Sequence, residues 1–106
     1  MAQKAPEQPT QPITGDCSLV NDYDWDKRVA YAICLGESSN DYTKINWKDN
    51  HKSCIGSFGL MQIACIHGAS PETTPEQNMA MAYDIYKSSG WSPWGAYTNG
   101  SYLKYL

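Results

Sequence analysis

Four cysteines, Cys17, Cys34, Cys54 and Cys65, are spread through a chain of 106 residues. A domain this short lies near the lower end of sizes that bury a self-sufficient core, so covalent cross-links narrow its folds strongly. An even cysteine count in a small chain predicts two disulfides and a place outside the cytosol. Four buried free thiols are the alternative, and the spacing does not choose among the pairings. His51-x-x-Cys54 with Cys65-x-His67 can be drawn as a zinc site. Its Cys-x-His step is tighter than structural zinc patterns, so no metal and no cofactor is expected.

Residues 1–16 begin MAQKAPEQPTQPITG, with Pro6, Pro9 and Pro12 at every third position among Gln, Glu and Thr. Such a segment has almost nothing to bury and reads as a disordered polar tether, leaving 17–106 as the one folded domain. It lacks the apolar stretch of a signal peptide, so the chain is expected to be a fragment without its export signal or anchor. No run approaches the roughly 20 apolar residues that span a bilayer. The net charge of −3, with no Lys/Arg cluster, argues against nucleic acid as a partner. Charged residues are 18% of the chain, and eight Tyr and four Trp stand against one Phe. A surface of that kind suits stacking on neutral polar ligands such as sugars, and a monomer is expected.

The first helix is predicted over about Asp24–Ser38, with Asp22 or Asp24 as its cap and Asp26 favouring its first turn. Trp25, Val29 and Ile33 recur at four-residue spacing, which makes one broad apolar face. The next step on that face is Glu37. A carboxyl emerging there is desolvated and has its pKa raised, as a general acid requires. An ordinary glutamate in a last turn, facing water, is the alternative.

Residues 40–52 are polar throughout and read as a loop around Trp47. In CIGSFGLMQIACIHG, residues 54–68, Gly56 and Gly59 flank Ser57 and Phe58, and Leu60, Met61 and Ile63 form a short buried element. Gln62 is an amide in that apolar run and needs partners, as a structural bracket or as a substrate contact. Thr74-Pro75-Glu76-Gln77 is a helix start with N-cap, N1 proline and capping box, and Gly90 is the stop. Trp91, Trp94 and Tyr97 then close the core or line a groove for sugar rings.

Glu37-Ser38 with Asn40, Ser57-x-Gly59-Leu60-Met61-Gln62-Ile63, and Ala96-Tyr97-x-x-Gly100 occur in that order. Together they resemble the lytic transglycosylase (SLT-type) branch of the lysozyme-like superfamily, over about residues 18–106. The resemblance implies a mainly α, compact lysozyme-like domain with a glycan-binding groove. It implies peptidoglycan as partner, cleaved at the β-1,4 bond between MurNAc and GlcNAc. Glu37 is then the catalytic residue. Ser57 orients the glutamate or the substrate, Met61 and Gln62 lie near the glycan, and Tyr97 hydrogen-bonds the acid. Where the family has Ala-Tyr-Asn-Ala-Gly, this chain has Ala96-Tyr97-Thr98-Asn99-Gly100, which displaces the Asn by one.

Most glycosidases use two carboxyl groups. Chicken-type lysozymes carry an Asp just before the aromatic–Gly pair, where this chain has Ser57. That lone-acid pattern implies a transglycosylase, in which one glutamate serves as acid and then base and a 1,6-anhydro ring forms. The alternative is a goose-type-like hydrolase, with a loop aspartate positioning water. Asp41 and Asp49 lie in the right region, and Asp49 is the better possible second carboxylate. A catalytically silent glycan-binding module is the reading from another class.

Overall fold

The structure, a computed structural model, describes residues 12–106. Most of the expected tether therefore lies outside the described residues. Ile13 already packs against the core, and Thr14 N donates to Tyr31 Oη at 3.4 Å, ahead of the expected boundary at residue 17.

The chain runs through a 3-10 helix, Asp16–Asp22, into helix α1, Lys27–Ser38. α1 is capped by Asp26, whose side chain accepts from Val29 N at 3.1 Å, rather than by Asp22 or Asp24. Ala30, Tyr31, Ala32, Ile33, Cys34 and Leu35 are all buried. A helix buried through consecutive positions is enclosed on every side, so α1 is the axis of the domain and not a surface helix with one apolar face. It ends where Ser39 turns left-handed, its N–H returning to Leu35 O.

A three-stranded antiparallel sheet follows, in the order β1 (Ile45–Asn50), β2 (Ile55–Phe58), β3 (Ile63–Ala64). This corrects the expectation of a mainly α domain: the fold mixes α and β. The segment read as a loop around Trp47 is strand β1. It is an edge strand, largely exposed, and the apolar–polar alternation of Ile45-Asn46-Trp47-Lys48 stops at the polar pair Asp49-Asn50. Pairing is Ile45 with Phe58, Asn46 with Ser57 and Asn50 with Ile55. β1 takes four steps from Asn46 to Asn50 where β2 takes two from Ser57 to Ile55, so β1 is bulged. A bulge re-aims the side chains beside it, here including Asp49.

A 3-10 turn, Cys65–His67, leads towards α2, Pro75–Ser89. α2 has the full capping box of Thr74 and Gln77, Pro75 in its first turn and Gly90 at its C-cap. A short α3, Gly95–Thr98, and a last 3-10 helix, Ser101–Tyr105, return onto α1. Trp25, Tyr83, Tyr86, Trp91 and Trp94 form a chain of ring contacts at 4.4–6.2 Å that closes the core.

Two disulfides, Cys17–Cys34 and Cys54–Cys65, use all four cysteines. The first ties the opening 3-10 helix to α1. The second joins the start of β2 to the turn after β3, and both thiols of the zinc alternative are spent on each other. Among the described residues no helix is long and apolar enough to cross a membrane.

Candidate active site

Glu37 stands in the last turn of α1, half-buried. Its Oε2 accepts from Ala96 N at 3.0 Å. That bond needs α3 to lie close against α1, and Gly36 permits it: a Cβ at residue 36 would sit 2.9 Å from Ala96 Cβ. Lys44 Nζ donates to Glu37 O at 2.7 Å. Burial pushes the Glu37 carboxyl above its ordinary pKa, against the opposing pull of the Ala96 N–H and the Lys44 charge, and the Asp49 charge adds to the rise.

Glu37, Asn46, Asp49, Ser57, Gln62, Pro93, Trp94 and Gly95 line one cleft of about 240 Å³. A smaller hollow of about 120 Å³ shares Asp49, Ser57, Gln62, Pro93 and Trp94 and adds His51 and His67. A larger hollow, about 370 Å³, is lined by Ile45 and Phe58 in place of Asn46 and Ser57, so it opens on the other face of the β1–β2 ribbon. Neither Glu37 nor Asp49 reaches it. Size does not track chemistry here.

Asp49 is not a free loop acid. Its Oδ2 accepts a hydrogen bond from Ser57 Oγ, and His51 Nε2 lies 3.0 Å from the same oxygen. The Ser57 hydroxyl, with help from His51, holds the Asp49 carboxyl below the usual range in spite of partial burial. One cleft thus contains a carboxyl pushed up and a carboxyl pushed down.

The other residues singled out in the sequence separate. Ser57 is buried and in the cleft, but its hydroxyl serves Asp49 and not Glu37. Gln62 is both bracket and wall: its Nε2 donates to Gly59 O at 2.9 Å and Lys44 O at 3.1 Å, and it lines the cleft. Met61 is fully buried in the core, where a glycan cannot touch it. The Tyr97 ring stacks on Tyr102 at 4.9 Å, and the bond to the acid comes from the neighbouring Ala96 main chain instead. Asn40 Oδ1 accepts from Cys17 N at 2.7 Å, a structural bond. Asp41 caps an exposed turn through Thr43, which lowers its pKa. Ala96 N is not legible in the sequence, and His51 is singled out there only for the zinc alternative, not as a neighbour of Asp49. A main-chain donor leaves no mark on residue type, but a histidine two residues after a candidate acid was visible.

No protein-family model, no curated protein and no solved structure matches the chain.

Proposed function

We propose that the protein cleaves the β-1,4 bond between MurNAc and GlcNAc in peptidoglycan, as a relative of the lytic transglycosylase and lysozyme enzymes. The observation that carries this reading is the shared cleft of Glu37 and Asp49, with their pKa values driven apart. The ordered motifs around Glu37, Gly59-Leu60-Met61-Gln62 and Ala96-Tyr97 supply the substrate class. A place outside the cytosol, whether secreted, periplasmic or at the cell surface, accords with the two disulfides.

Glu37, kept protonated by burial, donates its proton to the glycosidic oxygen as the C1–O bond breaks. Asp49, kept ionised by Ser57, takes a proton from a water whose oxygen bonds to C1. The product is a reducing-end MurNAc. The lone-acid argument for intramolecular capture by the C6 hydroxyl loses its ground once a second carboxylate lines the cleft, so hydrolysis is favoured.

Mass spectrometry of muropeptides released from purified sacculi tests both steps. Glu37→Gln should lower cleavage by about 10²–10⁴-fold, the range a positioned proton donor supplies, and Asp49→Asn by a similar factor. Cleavage by Glu37→Gln within threefold of the unsubstituted protein would sink the assignment. Products lighter by one water, ending in 1,6-anhydro-MurNAc and unaffected by Asp49→Asn, would make Glu37 the sole acid and base of a transglycosylase.

A further inference from the structure

The turn between β1 and β2 is fixed through its main chain. His51 N donates to Cys54 O at 2.9 Å, Ser53 N to His51 O at 2.7 Å, and Lys52 N to Asn50 Oδ1 at 3.0 Å. Lys52 is left-handed, with φ +70°, and the Cys54–Cys65 disulfide anchors the far end of the turn. His51 is carried on this turn with its side chain 22% exposed and its Nε2 sealed from solvent. That nitrogen lies 3.0 Å from Asp49 Oδ2, too oblique for a linear hydrogen bond. A lone pair on Nε2 would repel a carboxylate oxygen at that distance, so the nitrogen carries a hydrogen.

Ser57 Oγ donates to the same Oδ2, whereas Oδ1 has no hydrogen-bond partner among the described residues. We infer that His51 is a positioning residue: with Ser57 it grips Asp49 by one oxygen and leaves Oδ1 as the oxygen that takes the proton. The inference deepens the glycosidase reading and rests on it for the reaction, though the grip itself does not. The ionisable groups around the pair are few. Glu37 of α1 shares the cleft with Asp49, and His67, from the 3-10 turn after β3, shares the smaller hollow with both. α2 and the segment entering α3 contribute Ile85, Pro93, Trp94 and Gly95, none of them charged.

Removing His51 takes away the positive end of the imidazole beside Oδ2, which favours the ionised form of Asp49, so a higher pH is then needed to ionise it. The test follows the Asp49 carboxyl carbon by NMR across pH in the uncomplexed protein, beside kcat and KM on sacculi. In His51→Ala the Asp49 midpoint and the acidic limb of kcat/KM should both move to higher pH. kcat should fall about tenfold, part of what a positioned base supplies, with KM unchanged. His51→Gln keeps a side-chain N–H donor and should recover much of both shifts. Intact mass with both disulfides present and an unchanged near-UV spectrum establish that the variants fold.

An Asp49 midpoint unmoved in both variants overturns the inference. A midpoint that moves in a protein that leaves sacculi intact overturns the glycosidase reading, and the grip of His51 on Asp49 stands.

Discussion

Glu37 is a residue whose folding cost and chemistry have one origin. Because burial raises its pKa, the folded protein keeps the proton to higher pH than the unfolded chain does. The stabilisation linked to that proton is fully present below the ordinary glutamate pKa and is lost as pH rises through the raised value. Glu37→Gln has no proton to lose. Its melting temperature should therefore gain on the unsubstituted protein as pH rises above the ordinary glutamate range. Thermal melts at a series of pH values check this, and a difference independent of pH would show that the carboxyl is not desolvated. The residue was legible in the sequence through the Glu37-Ser38 motif, since the Trp25, Val29, Ile33 spacing alone left a water-facing side chain open and α1 is in fact buried on all sides. Its partner was not, since Ala96 N lies 59 positions away and belongs to the main chain.

At the scale of elements, legibility follows how local the signals are. α2 was readable because Thr74, Pro75, Gln77 and Gly90 mark its ends within the helix itself. β1 was not, because an exposed, bulged edge strand is defined by its partner β2 and not by its own residues. Asp49 is legible as a possible second carboxylate, but its hydrogen bond from Ser57 is not, because that depends on the unrecognised strand pairing. The packing of α1 on α3 gives a prediction of its own. Gly36→Ala forces a Cβ to within 2.9 Å of Ala96 Cβ. Overpacking costs about 1–3 kcal/mol, while alanine's better helix propensity returns up to about 1 kcal/mol, so the net effect is destabilising. As α3 is pushed away, the Ala96 N–H pulls less on Glu37, whose pKa rises further. The alkaline limb of activity should then move to higher pH, measured alongside the melting temperature. A limb that moves to lower pH would contradict this account.

Across the whole molecule, the disulfides hold different things. Cys17 and Cys34 are 17 positions apart, Cys54 and Cys65 are 11 apart, and each link should contribute about 2–5 kcal/mol of stability. Loop lengths this similar make the two stability losses comparable. Activity should distinguish them. At a temperature where both double variants are folded, Cys54→Ala with Cys65→Ala should lose much more cleavage than Cys17→Ala with Cys34→Ala. The former frees the turn that carries His51, and the latter frees the opening helix, none of whose residues lines the cleft. Equal losses in melts and in muropeptide release would mean that neither link is tied to the cleft. Two disulfides were legible from cysteine arithmetic, but their pairing was not, because it follows from where β3 and the opening helix come to rest.

The Ala96 contact has a consequence for mapping the site by mutation. The donor that holds Glu37 is part of a peptide bond, so no codon at position 96 other than proline removes it. A scan that replaces side chains one by one would pass over this position, or register only the bulk that Gly36 leaves no room for. The acid is oriented by an atom common to nearly every amino acid, and the identity of its neighbours matters chiefly through the path they impose on the backbone.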